Sequence, residues 1–136
     1  MVKTKPVILL AEDSPDDQFL LRRALNQMGI EVAIVTVSDG QAVIEYLKGE
    51  DLYADRTAYP IPTMLILDWS LPKMNGLAVL RQVKGHSDWQ KIRVVILSGS
   101  LDPGVAVQAK EMGAAAVMEK PPRAEQLRSL AALLQQ

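Results

Sequence analysis

Cysteine is absent from the 136 residues, which excludes disulfides, thiolate metal sites and cysteine nucleophiles. Histidine occurs once, as His86 in a polar stretch, so an imidazole-based metal site has no second ring to draw on. Aromatic residues make up 4% of the chain against 49% apolar overall. The core must therefore be built from Val, Ile, Leu, Ala and Met. An excess of one charge sign is also missing, the formal net charge being -1. Without a basic stripe there is no electrostatic footprint for nucleic acid. No apolar run approaches the roughly 20 residues that a membrane helix needs. The N-terminal lysines precede a run of only about five apolar residues, and Glu12-Asp13 follow, whereas a signal peptide needs roughly 7–15 and a small-residue cleavage site. The expectation is one cytoplasmic domain over residues 1–136, with its core at about 7–134.

What is present is an alternation of short aliphatic runs with amphipathic segments. Val7–Ala11 is continuously apolar, as a strand covered on both faces requires. Ser14-Pro15-Asp16-Asp17 reads as a helix start: Ser at the N-cap, Pro at the first helical position, acids in the first turn. Phe19, Leu20, Ala24, Leu25 and Met28 keep helical spacing up to Gly29. Val32–Val37 is a second strand, followed by a helix with Ala42, Val43, Tyr46 and Leu47 on one face. Gly49 to about Pro62, with two prolines and four charges, reads as a long surface loop outside the core. Met64–Leu67 is a third strand, stopping at Asp68. A helix opened by Asn75-Gly76 carries Leu77, Leu80 and Val83. Ile92–Leu97 is the fourth strand, ending at Ser98-Gly99-Ser100. Pro103 begins a helix with Val105, Ala109 and Met112 inward, Ala114–Met118 is a short fifth strand, and Leu127, Leu130, Ala131 and Leu134 mark a last helix.

Five strands interleaved with five helices predict an α/β fold: a doubly wound, five-stranded parallel sheet with helices on both faces. Right-handed crossovers favour the order 2-1-3-4-5, as in flavodoxin-like sheets. Ligands of such sheets sit beyond the carboxyl ends of the strands. There the sequence places Glu12 and Asp13 after strand 1, Asp68 at strand 3, Ser98 at strand 4 and Lys120 after strand 5. Neighbouring strands lie about 4.8 Å apart, so Asp68 is flanked by two acids on one side and by a hydroxyl and an ammonium on the other. Three carboxylates this close must take up a proton or hold a cation. Oxygen ligands without His or Cys favour Mg²⁺, completed by phosphate oxygens. Asp68 is then a candidate nucleophile for phosphoryl transfer, with Lys120 and Ser98 aimed at phosphoryl oxygens.

The acidic pair Glu12-Asp13, Asp68 followed by SLPKMNG, Ser98 after an aliphatic strand and Lys120-Pro121 together resemble the response-regulator receiver family, from about Val7 to Leu134. That resemblance implies Asp68 as phosphoacceptor, Asp13 as direct and Glu12 as water-mediated metal ligand, and the Ser70 backbone carbonyl completing a Mg²⁺ site. It also implies Ser98 and Lys120 as the phosphoryl-sensing pair and a cis bond before Pro121. The loop Gly49–Pro62 and the wording LILDWSLPKMNG further resemble the small stand-alone regulators paired with cyanobacterial and bacterial phytochrome kinases. The implied partners are a sensor histidine kinase, of phytochrome type, or a phosphotransfer protein on the input side. With the chain ending at Gln136, a protein target or a phosphorelay is expected on the output side. The outer flanks of the last two helices, with Val117, are candidates for a homodimer or partner surface.

Two positions depart from the family pattern. Val117 stands where most receivers carry Tyr or Phe as a rotamer switch, and Pro122 follows Pro121 where an aromatic is common. Val117 favours the main rival, a receiver-like binding module that works without phosphorylation. A flavodoxin-like nucleotide binder is disfavoured, because the acidic, proline-containing first loop would repel a bare phosphate. An aspartyl-phosphate phosphatase would carry an acid two residues after its nucleophile, where this chain has Ser70. Trp69 and Trp89 are assigned no role.

Overall fold

The computed structural model describes residues 5–29, 31–99 and 103–135. Five strands and five helices alternate in the chain: β1 (Val7–Ala11), α1 (Pro15–Asn26), β2 (Ala33–Val37), α2 (Gly40–Lys48), β3 (Met64–Asp68), α3 (Gly76–Gly85), β4 (Arg93–Ser98), α4 (Pro103–Glu111), β5 (Ala116–Glu119) and α5 (Ala124–Leu134). All strand pairings are parallel, in the order β2-β1-β3-β4-β5. Consecutive strand residues face opposite ways, so each continuous apolar run feeds two cores. Leu9, Ala11, Leu65, Leu67, Val94 and Ile96 join α2, α3 and α4 on one face. Ile8, Leu10, Met64, Ile66, Val95 and Leu97 join α1 and α5 on the other.

Local chemistry sets the helix ends. Ser14 Oγ accepts from the Asp17 N–H, Pro15 opens α1, and Asp39 and Asn75 cap α2 and α3 through their side chains; each cap satisfies a donor that the helix leaves orphaned. Gly49 closes α2 in the left-handed conformation at φ 70°, a geometry that suits glycine. Gly40 and Gly76 are required for space instead. A Cβ on Gly40 would stand 1.8 Å from the Met74 carbonyl oxygen, and one on Gly76 would stand 2.8 Å from Trp69 Cα. These contacts press the loop after β3 against two helix starts and so fix the backbone beyond Asp68.

The helical spacing expected from Phe19 to Met28 is present in α1, whose buried residues are Leu21 and Leu25, while Phe19 and Leu20 are 63% and 55% exposed; the apolar stripe is wider than the buried one. One expectation is corrected. The Gly49–Pro62 stretch is not wholly outside the core. Tyr53 and Tyr59 pack with the fully buried Tyr46, ring centroids 5.0–6.0 Å apart, and join the α2-side core. The Tyr46 hydroxyl donates to the Pro60 carbonyl at 2.8 Å, and Arg56 donates to the carbonyls of Leu47 and Tyr59. Three aromatic rings and one guanidinium therefore pin this loop. The strand limits move by one or two residues, β4 reaching Ser98 and β5 beginning at Ala116. Ser100 lies outside the described residues.

Candidate functional site

The sheet register brings the predicted residues together at the carboxyl edge. Ala11 pairs with Leu67, Asp68 with Leu97, and Ser98 with Glu119, so the residues that end β1, β3, β4 and β5 stand in one row. Backbone hydrogen bonds extend this row past the strands: Glu12 N–H to the Val37 carbonyl, Trp69 N–H to Leu97 and Lys120 N–H to Ser98, at 2.9–3.0 Å. Glu12, Asp68 and Ser98 are the buried polar residues among those described.

Lys120 is the hub. Its ammonium lies 2.6 Å from Glu12 Oε1, 2.8 Å from Asp68 Oδ2 and 3.5 Å from Asp17 Oδ2. Burial disfavours its charge, but the hydrogen bonds and fields of Asp68 and Glu12 outweigh that and hold its pKa well above the usual lysine range. Burial pushes the Glu12 carboxyl above its ordinary value of 4.5, against the opposing hydrogen bonds from Lys120 and the Ser14 N–H. Asp68 Oδ1 accepts the Ser70 N–H at 3.0 Å. Gln18 donates to the Glu12 carbonyl at 2.5 Å, tying α1 to the end of β1.

Carboxylate oxygens of Glu12, Asp13 and Asp68 lie within 4.8 Å of one another, Asp13 on the exposed side. Three formal negative charges against one ammonium leave the pocket electrostatically under-compensated. Hard oxygen donors around such a deficit suit a divalent cation of the Mg²⁺ or Mn²⁺ kind. Ser70 is exposed two residues beyond Asp68. The bond between Lys120 and Pro121 is cis. Val117 is half-buried on β5 against the α2-side core.

Sequence reading assigned Asp17 only to the helix start. Its contact with Lys120 arises because the first turn of α1 lies within reach of the side chain that follows β5. The spacing of four residues from Asp13 was the available signal.

A parallel five-stranded sheet carrying an acidic triad and a lysine at its switch point defines a receiver-type signalling protein. Residues 8–132 match the family described as response regulator receiver domain, and the chain belongs to that family. It is similar to the response regulator Rcp1 of Synechocystis sp., 32% identical over 106 residues, 78% of this chain and 70% of the relative. The crystal structure of the Mn²⁺-bound form of Rcp1 superimposes with a TM-score of 0.78 at 29% identity, covering 92% of this chain and 88% of that one. The bacteriophytochrome response regulator AtBRR gives a TM-score of 0.85 at 32% identity, with 98% and 94% coverage. The phosphorylated cyanobacterial phytochrome response regulator RcpA gives 0.78 at 27%, with 97% and 91% coverage. The likeness to phytochrome regulators thus extends along nearly the whole chain. No helix among the described residues is long and apolar enough to cross a membrane.

Proposed function

We propose that this receiver accepts a phosphoryl group on Asp68 from the phosphohistidine of a partner kinase and passes the signal on through protein contacts. The observation that carries the proposal is the Lys120 ammonium bridging Asp68 and Glu12 beside the Asp13 carboxylate. In the transfer, one Asp68 carboxylate oxygen forms a bond to phosphorus as the phosphorus–nitrogen bond of the phosphohistidine breaks, the imidazole nitrogen keeping the electron pair. Lys120, positively charged across the whole physiological range, pairs with a phosphoryl oxygen, and Ser98 donates a hydrogen bond to another. The Ser70 N–H, already on Asp68 Oδ1, holds the nucleophile's orientation.

A Mg²⁺ ion held by Asp13, Asp68, the Ser70 backbone carbonyl and, through water, Glu12 would supply positive charge opposite the phosphoryl oxygens. The Mn²⁺-bound form of Rcp1 and the phosphorylated form of RcpA support this reading by similarity. The resemblance to phytochrome regulators points to a phytochrome-type histidine kinase as phosphodonor, and the α4 and α5 flanks with Val117 to a second copy or a protein target on the output side.

Incubation with acetyl phosphate and Mg²⁺ tests the reading: a gain of one phosphoryl mass located on Asp68, absent without the metal, is the expected result. Val117, which removes the usual aromatic switch, favours a second reading, a binding module indifferent to phosphorylation. Persistent failure to label Asp68 would select that module.

A further inference from the structure

Lys120 has three carboxylate partners, and only two of them belong to the acidic triad. The third, Asp17, sits at the rim with its side chain 42% exposed. Its backbone is fixed twice, by Pro15 two residues earlier and by the Ser14 Oγ cap on its own N–H. Its carboxylate lies in the first turn of α1, where the helix field favours negative charge. Beyond it a cleft of about 320 Å³ opens between α1 and the Lys120-Pro121-Pro122 segment, walled by Leu20, Leu21 and the two prolines.

The geometry points to Asp17 as a positioning residue that draws the Lys120 ammonium toward α1 and thereby keeps Glu12 and Asp68 accessible to a divalent cation. This rests on the reading of the pocket as a Mg²⁺ site. An ammonium has three N–H donors, and here they are shared among three acids. Glu12, Asp13 and Asp68 form the cluster that a dication would use, and Lys120 competes for two of those three. Asp17 stands outside that cluster, so it is the acceptor that remains for Lys120 when the other two turn to a metal. Without its charge the ammonium settles more fully on the buried pair, and the metal must displace a tighter contact.

The test is a Mg²⁺ titration of the full chain without phosphodonor, read by the fluorescence of Trp69, the neighbour of Asp68. Asp17→Asn should raise the half-saturating Mg²⁺ concentration about two- to fivefold, the scale of one exposed ion pair. Asp16→Asn, one residue away in the same helix turn and outside the Lys120 contacts, controls for the loss of a nearby charge and should shift it less. In a Lys120→Met background the excess of Asp17→Asn over Asp16→Asn should vanish. Circular dichroism of each variant checks folding. Equal shifts for the two asparagine variants, or an excess that survives without Lys120, would overturn the proposal while leaving the metal site intact. A wild-type chain that shows no saturable Mg²⁺ response overturns the metal reading and this inference with it.

Discussion

Lys120 and Asp68 are joined by a 2.8 Å contact between Nζ and Oδ2, across a gap that the sequence spans with 52 residues and the sheet with β4 between them. The same ammonium holds Glu12 at 2.6 Å. One ammonium therefore serves two buried acids, with Asp17 as a third partner at the rim, and its removal has measurable consequences.

Removal of that cation should destabilise the metal-free protein. Lys120→Ala leaves two buried carboxylates each short of one hydrogen-bond donor, with the backbone N–H groups of Ser14 and Ser70 remaining, a cost of roughly 1–3 kcal/mol. Urea unfolding with and without Mg²⁺ reads it. The deficit should shrink on adding Mg²⁺, and the variant should bind Mg²⁺ more tightly than wild type. It should also accept some phosphoryl label while losing the accompanying conformational change.

Asp68→Asn removes the nucleophile and keeps the size of the side chain. Labelling by acetyl phosphate, followed by intact-mass spectrometry, should fall to background. Label retained on another residue would contradict the assignment.

Stability should depend on pH through Glu12. Its burial raises the carboxyl pKa above 4.5, so the folded state holds its proton more tightly than the unfolded one. The stabilising contribution is thus present below about pH 4.5 and lost as pH rises through the raised value. Lys120, shifted upward from 10.5, keeps its proton throughout that window and adds no slope there. Denaturant titrations of the metal-free chain across the acid-to-neutral range should show a downward component that Glu12→Gln removes. Mg²⁺ binding should weaken in the opposite direction, as acid protonates the same carboxyl.

Gly40→Ala should be costly for a residue that touches no ligand. The added Cβ meets the Met74 carbonyl oxygen at 1.8 Å, and Gly40 N–H also bonds the Pro72 carbonyl. Relief requires the loop after Asp68 to move. A loss of roughly 1–3 kcal/mol is expected, with weaker Mg²⁺ affinity, in thermal unfolding and fluorescence titrations.

Tyr46→Phe should cost about 1 kcal/mol, because the Pro60 carbonyl loses its donor. Hydrogen exchange should accelerate in residues 50–62 more than in the strands.

The strands and the site were legible for one shared reason. A parallel sheet covered on both faces writes itself as short continuous apolar runs, and Val7–Ala11 matched residue for residue. The candidate side chains stand where each run stops, so the positions of Glu12, Asp68, Ser98 and Lys120 could be read off as strand ends. Side-chain direction was less legible. Phe19 and Leu20 share helical spacing with Leu25 yet point outward, since periodicity alone does not fix where the centre of a buried stripe falls. The loop after α2 was misjudged because its charges masked Tyr53 and Tyr59, whose rings find Tyr46 only in three dimensions. Asp17 was missed for a similar reason: a first-turn acid looks the same whether or not a distant lysine reaches it.

The separation of the two apolar layers by the sheet has a thermodynamic corollary. Leu25 and Val83 belong to opposite layers and share no packing partner within either one. Truncating both to alanine should lower stability by the sum of the single effects, to within about 0.3–0.5 kcal/mol. The elements common to both halves are the strands themselves, whose alternate residues enter opposite layers, and the Lys120 ammonium at their tips, which ties α1 to the ends of β1 and β3.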